Sequence, residues 1–348
     1  MSVAAAVIDV GWVNGLAAIR SLGRAGIRVL AVDHRPSALG FRSKYSERLV
    51  SPAPTDEHRF VNFVRALGEV VVFPTHDDSL NAVARYADDL EALTPFPRWE
   101  LLERVQSKRV QLETAQSAGV DIPELNPSTF PVIVKPDESV GFKRRFKRQA
   151  FRCDNAAELE DALTKTEEFG AIVQELVPGG DDTLWTVGSY IGRDREVRGV
   201  FCGRKLRQTP PGIGTCRVGE AVWEQEAVDA ALRLLRAFDY HGLSQVEFKR
   251  DPRDGRFKLM EINPRLWQWH GLASACGVDL PRIAYADLVG ERVPDVRMNG
   301  SGKRWAITLL PGERPMPQRP PYVDAVFAVD DPKPGLVHLA RVARSAVT

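Results

Sequence analysis

Three unbroken apolar runs, each trailed by a helical pattern, constrain the N-terminal part of this chain more than any other feature. They are "AAVIDV" (5–10), "IRVLAVD" (27–33) and "EVVVFPTHDDS" (69–79), the last ending in polar residues. A strand that is apolar on both faces must be covered on both, and the economical solution is a parallel sheet with helices outside it. The patterns "LAAIRSLGRAG" and residues 57–67 supply those helices. "MSVAAAVIDV" therefore reads as a first strand and not as a signal peptide, since no basic segment precedes it and Asp9 interrupts it. The proline-rich "ALTPFPRWE" (92–100) marks the boundary, so residues 1–95 are expected to form one α/β unit.

Beyond it the pattern becomes α+β. Residues 101–130 read as two helices and a turn, followed by strand "FPVIVKP", strand "QAFRC", helix "NAAELEDALTKTEEF" and strand "AIVQEL". Long strands (183–203), a helix (225–238) and the pair "SQVEFKR"/"RFKLMEIN" predict a second, antiparallel-rich body. Five prolines in 311–321 lead into an expected C-terminal appendage. At ~100–200 residues per domain, 348 residues allow two or three domains.

Composition narrows the partners. A formal net charge of +1 provides no global field to recruit nucleic acid or a membrane surface, and no apolar run is long enough to span a bilayer. Cys153, Cys202, Cys216 and Cys276 form no CxxC pair, which argues against a zinc ribbon or disulfide framework and predicts a cytoplasmic setting.

Four constellations carry candidate chemistry. In "DVGWVNGLAAIR" a glycine turn between strand and helix could seat phosphate, with Asp33 placed as a ribose-binding acid. Only G-x-x-x-G is present and Trp12 is bulky, so a structural turn without cofactor is favoured. Lys135, ending the apolar "VIVK", must reach water or an anion, and a surface lysine satisfies that equally well. Lys108, opening a helix after Ser107, opposes the helix dipole unless an anion shares its site. The run Lys143-Arg144-Arg145-Phe146-Lys147-Arg148 reads as a hairpin loop, either a polyphosphate clamp or a solvated turn.

The sharpest constellation is Glu247 in "SQVEFKR" with Glu261 in "KLMEINPR". The two acids sit in consecutive strand patterns joined by "DPRDG", where a hairpin can set them side by side in mutual repulsion. A hard divalent cation reverses that repulsion, and Mg²⁺ commonly combines one or two carboxylates with substrate phosphates. Asn263 adds an amide oxygen on the face of Glu261, and Arg265 can reach the phosphate so bridged.

Taken in order, Lys108, "VIVKP", "IVQELVPGGDD", Glu247 and "EINPR" resemble the ATP-grasp superfamily over roughly residues 99–290. "GRKLRQTPP" and "WQWHGLASACGVDLP" are similar to the predicted carboxylate–amine ligases within it. The resemblance implies a Rossmann-like domain at 1–95 and an ATP-grasp domain at 96–292, with a small nucleotide lobe near 124–178, a large lobe near 183–292 and the appendage at 293–348. It implies that Lys108 and Lys135 contact ATP phosphates, and that Gln174 or Glu175, with the backbone near Val177, reads the adenine. Asp182 would take the ribose, and Glu247, Glu261 and Asn263 would hold Mg²⁺ or Mn²⁺. Arg265, Arg204, Lys205 and Arg207 would surround an acyl-phosphate, although the last three serve equally as a solvated strand edge. Trp267, Trp269 and His270 either line the substrate pocket or pack. One departure is the single glycine, Gly141, where the family has a glycine-rich phosphate loop; basic side chains would substitute.

The implied reaction joins a small carboxylate to an amine through an acyl-phosphate, releasing ADP and phosphate; the assembly leaves room for a homodimer. Carboxylation or carbamoyl-phosphate chemistry on the same site, a nucleotide sensor without turnover, and a dinucleotide enzyme are the alternatives. Carboxylation usually draws on a biotin carrier or ammonia source for which this chain has no room.

Overall fold

The computed structural model describes residues 3–345 except 213, 294, 295, 297, 300, 312, 314, 317, 319 and 320. The N-terminal unit comprises β1 (Ala4–Ile8), α1 (Val13–Arg24), β2 (Val29–Asp33), β3 (Glu47–Val50), α2 (Glu57–Arg65), β4 (Val70–Pro74) and α3 (Asp77–Arg85). The sheet is parallel throughout, in the order β3-β2-β1-β4. Every residue of β1, β2 and β4 is buried, as their unbroken apolar runs require, whereas β3 is a short exposed edge strand with no such run.

Two helices, α4 (Trp99–Gln106) and α5 (Lys108–Ser117), connect to the small lobe. That lobe holds β5 (Val132–Pro136), α6 (Ser139–Phe146), β6 (Phe151–Cys153), α7 (Ala156–Thr166) and β7 (Ala171–Glu175), with antiparallel order β6-β5-β7. The basic run expected to be a hairpin loop is largely helix α6. Glu138 caps it by accepting from the backbone N–H of Val140 and Gly141. Phe142 and Phe146, four residues apart, lie on one face of that helix and join Phe151 and Phe169 in an edge-to-face cluster.

The large lobe is built from β8 (Leu184–Ile191), β9 (Val197–Thr209), β10 (Thr215–Ala221), α8 (Gln225–Ala237), β11 (Gly242–Arg250), β12 (Phe257–Asn263), α9 (Gly271–Ala275) and α10 (Leu280–Leu288). The segment after residue 292, read from the sequence as an appendage, runs back over both larger bodies. Its strands β13 (Arg304–Ala306) and β14 (Tyr322–Asp324) extend the large sheet, whose order is β12-β11-β8-β9-β10-β13-β14. Its helix α11 (Lys333–Ser345) follows Asp331, whose carboxylate receives Arg20 Nε at 3.0 Å, Ser43 Oγ at 2.8 Å and the Lys44 backbone N–H at 2.9 Å from the N-terminal unit. Pro317 and Pro320 of the proline-rich stretch lie outside the described residues. One apolar core runs from α1 (Val13, Leu16, Ile19) to Phe201, Trp267, Trp269 and Trp305 of the large lobe, while the small lobe has a core of its own around Val132, Val134, Cys153 and Ala162. No helix among the described residues is long and apolar enough to cross a membrane.

Candidate active site

The β11–β12 hairpin pairs Glu247 with Glu261 and Gln245 with Asn263, which puts both acids and the amide together as the strand patterns predict. Their polar atoms are interlocked. Asn263 Nδ2 donates to Glu261 Oε1 at 2.9 Å and to Gln245 Oε1 at 3.3 Å, leaving the Asn263 carbonyl oxygen for a ligand. Gln245 Nε2 donates to Glu247 Oε1 at 3.0 Å. Cations offset the acids: Lys205 Nζ lies 2.8 Å from Glu247, and Lys108 Nζ lies 3.9 Å from Glu261. Burial alone would raise the Glu261 carboxyl, but Lys108, Lys143, the Asn263 hydrogen bond and Lys135 outweigh it and hold it at about 2. Glu261 is thus an anion across the physiological range. Two carboxylates and an amide oxygen side by side are the hard donor set that Mg²⁺ shares with phosphate oxygens, and they fit it. Among the described residues no three His, Cys, Asp or Glu side chains gather to hold a metal by themselves, so phosphate or water must complete such a shell.

Three clefts converge here, and Lys143 and Glu261 line all of them. The first runs between the small-lobe sheet and the large sheet, with Ile133, Val177, Leu184 and Met260 as apolar walls. Gln174 lines it, is buried, and has a side-chain carbonyl oxygen without a partner. Lys135 Nζ has one backbone acceptor, Met260 O at 3.5 Å; enclosure and then the nearby Lys108 depress its ammonium to about 8, against the pull of Glu261 and Glu247. The second cleft separates α3 and α4 from α6. The third opens between Lys205, Arg265 and the tryptophans Trp267 and Trp269.

Several expected residues do not converge. The Glu175 carboxylate is taken by Lys258 Nζ at 2.7 Å, Arg253 Nη2 at 2.5 Å and the Glu124 backbone N–H at 3.0 Å, so Gln174 and not Glu175 presents a free side chain to the cleft. Asp182 is exposed and lines none of the three clefts; its neighbour Asp181 instead anchors the loop after β9, accepting from Gln208 N at 2.7 Å and Gly212 N at 3.0 Å. Of the three β9 cations expected around the acyl-phosphate, only Lys205 enters the site. Arg204 points to the other face of the sheet and pairs with Glu220 at 2.9 Å, and Arg207 is exposed near Met316. Of the basic run on α6, Lys143 enters the site, while Arg144 pairs with Asp78, Arg145 with Glu168, and Arg148 lies over the Phe151 ring.

Arg265 does reach the junction, held there by a residue the sequence did not single out. Asp77, the first residue of α3, accepts from Arg265 Nε at 2.5 Å and Nη2 at 3.3 Å. Burial opposes the Asp77 charge, yet Arg265 and Lys143 keep its carboxyl far below the usual range. The one signal for it was the polar "THDDS" closing an otherwise apolar strand. Trp267 and Trp269 are buried, Trp267 resting on Gly188 and Trp269 on Gly219, yet both border the third cleft, whereas His270 is packed away from it and its Nε2 donates to the Asn14 carbonyl at 3.0 Å. Burial lowers the His270 imidazole to about 4, which removes it as a base near neutrality. At the N-terminal turn the Arg35 guanidinium lies across Gly11 and binds Asp33 at 2.9 and 3.0 Å, occupying the acid that a dinucleotide ribose would need.

Residues 222–293 match the family described as carbamoyl-phosphate synthase L chain, ATP binding domain. D-aspartate ligase of Enterococcus faecium (strain Aus0004) is 30% identical over 237 residues, covering 64% of this chain and 54% of that protein, so the chain spans about half of its relative's length. N5-carboxyaminoimidazole ribonucleotide synthetase from Thermus thermophilus superposes with a TM-score of 0.64 at 19% identity, covering 86% of this chain and 81% of that one. L-amino acid ligase from Bacillus licheniformis gives 0.64 at 17% identity over 83% and 74% of the respective chains. These structural likenesses are of fold. The chain shares the fold of these ligases, and its sequence match to the carbamoyl-phosphate synthase ATP binding domain spans the Glu247–Arg265 hairpin.

Proposed function

We propose that this protein is an ATP-dependent carboxylate–amine ligase working through an acyl-phosphate. The observation that carries the reading is the paired Glu247, Glu261 and Asn263 ringed by Lys108, Lys135, Lys143, Lys205 and Arg265, an arrangement that suits a metal-bridged triphosphate beside an anionic acceptor. In this reading ATP lies in the first cleft, its adenine against Gln174 and the backbone at Val177. Its phosphates meet Lys108, Lys135 and Lys143. Glu247, Glu261 and Asn263 would hold Mg²⁺, or Mn²⁺ in its place, which would supply positive charge to offset that of the phosphates.

The chain's own residues then orient and neutralise. Arg265, fixed by Asp77, and Lys205 set a substrate carboxylate in line with the γ-phosphorus. The carboxylate oxygen bonds to that phosphorus as the bond to the β-phosphate oxygen breaks, and ADP leaves. An amine nitrogen next bonds to the acyl carbon and inorganic phosphate departs with the electron pair. The cations act where negative charge builds up, so their effect appears in rate more than in affinity. The similarity to a D-aspartate ligase supports a small amino acid as the carboxylate partner. Cys153, Cys202 and Cys216, all buried and outside any disulfide, support a reducing, cytoplasmic setting.

The test is incubation with Mg-ATP, hydroxylamine and a panel of amino acids and small carboxylic acids. ADP, phosphate and a hydroxamate should appear together with the productive acid, and little ADP without it. AMP and pyrophosphate would eliminate the mechanism. The match to the carbamoyl-phosphate synthase domain keeps carboxylation as a second reading, which ADP release on bicarbonate alone would select. Tight ATP binding with silence across the panel would favour a sensor.

A further inference from the structure

The N-terminal sheet reverses direction of growth between β1 and β4, and in open parallel sheets ligands collect outside the carboxyl ends at such a point. Three residues there are unused by the chemistry above. Asp9, just after β1, has φ of 63° although it is not glycine, is buried, and leaves Oδ2 without a partner. A buried, strained acid with an unsatisfied oxygen costs free energy that a packing role does not explain. Thr75, just after β4, ties the two strand ends together: its N–H donates to Ile8 O at 3.2 Å and its hydroxyl to Asp9 O at 3.0 Å. The next residue, His76, opens α3 with an extended backbone and is exposed; its imidazole makes no hydrogen bond within the described chain. The residue after that is Asp77, the clamp on Arg265. The charged groups around the imidazole are Asp9 from β1, Arg35 from beyond β2, Asp77 on its own helix and Arg265 from the large lobe.

Resting on the ligase reading, we propose that His76 is the proton acceptor for the amine in the second half-reaction, with Asp9 favouring the imidazolium it becomes. A nitrogen that has bonded to the acyl carbon through its lone pair carries one proton too many. The C–N bond forms, the C–O bond to phosphate breaks with its electron pair leaving on phosphate, and the surplus proton passes to the imidazole. Although the ring reaches solvent, the bodies on either side of it hold His76 below its ordinary value, with Asp9 opposing, so it is uncharged and able to accept near neutrality. His270, which lies after β12 in the large lobe, is packed and hydrogen-bonded and cannot serve. Neither the nucleotide nor the carboxylate needs His76, so its loss should separate the two half-reactions.

The experiment compares wild type with His76→Asn and His76→Gln, using the productive acid and two nucleophiles, hydroxylamine and ammonia. Hydroxylamine is uncharged at neutral pH and sheds its proton readily, so hydroxamate formation reads the first half-reaction. Both variants should form hydroxamate within about twofold of wild type and lose about 100-fold in primary amide formation from ammonia, the usual scale for a missing general base. Raising the pH should restore much of that loss, as hydroxide replaces the base. His76 is exposed, so folding should survive, and melting temperatures would document it. Equal losses with both nucleophiles, or no loss with ammonia, overturn the proposal. Absence of hydroxamate with the wild-type protein sinks the ligase reading itself, which is a different outcome.

Discussion

Lys135 gives a quantitative handle on the proposed nucleotide cleft. In the free protein its ammonium is depressed to about 8 by enclosure and by Lys108, so the charge is lost as pH rises through that value. If phosphate binds the ammonium form alone, the apparent dissociation constant grows as the inverse of the protonated fraction. That fraction is about one half at pH 8 and about one tenth at pH 9, so ATP affinity should fall about twofold at pH 8 and about tenfold at pH 9 relative to pH 7; the whole change corresponds to about 1.4 kcal/mol. Titration calorimetry with a non-hydrolysable ATP analogue at pH 7, 8 and 9 would measure it. In buffers of different ionisation enthalpy, about half a proton should be taken up per site at pH 8. Lys135→Arg keeps its charge and should flatten the profile. Stability of the free protein should run the opposite way. The folded pKa lies below the unfolded 10.5, so between about 8 and 10.5 the unfolded chain holds more protons and stability rises with pH. An affinity that stays level from pH 7 to 9, or that declines equally in Lys135→Arg, would refute the reasoning.

Other perturbations follow from the same contacts. Glu247→Gln with Glu261→Gln should abolish Mg²⁺-dependent turnover. It should also lower the melting temperature of the free protein, not raise it by relief of repulsion, because Lys205 and Lys108 are left buried without counter-charges, at a cost of at least about 2 kcal/mol. Asp77→Asn should reduce hydroxamate formation about 10- to 100-fold with nucleotide affinity unchanged, since Arg265 loses its aim while the first cleft is untouched; an equal rise in nucleotide Kd would contradict this. Phe142→Ala, at a fully buried position, should cost about 3–5 kcal/mol of small-lobe packing and weaken ATP through Lys143, visible as faster amide exchange along α6.

What the sequence revealed depended on range. β1, β2 and β4 were legible because burial on both faces leaves an apolar run, and β3 was not because an exposed four-residue edge leaves none. The register of Glu247 against Glu261 is local, set by two strands and a six-residue turn, but it rests on a bulge at Met260 that the sequence did not announce; without it Glu247 would face Met260. Asp77 and Arg265 are 188 residues apart, and only the fold reveals that α3 begins above the end of β12. Glu175 resembled an adenine reader until Lys258 and Arg253, far along the chain, claimed its charge. Helix α6 was concealed by its basic residues, although the Phe142/Phe146 spacing was the usable signal. On β9, strand alternation separates Arg204 from Lys205, and a register shift opposite Arg207 completes a facing that adjacency in sequence could not disclose.

The returning C-terminal segment has a mechanical consequence. By lengthening the large sheet with β13 and β14 and tying Asp331 to Arg20, it fastens the two larger bodies across a core they already share. The small lobe has its own separate core, and polar links such as Lys258 to Glu175, Arg144 to Asp78 and Ser107 to Asp137 moor it to the rest. Such links trade readily for water, whereas a shared apolar core does not. The molecule is therefore a stiff frame carrying one compliant jaw. Any displacement of that jaw would carry Lys135 and Lys143 with it, while Arg265, Asp77 and Glu261 belong to the frame and keep their mutual spacing.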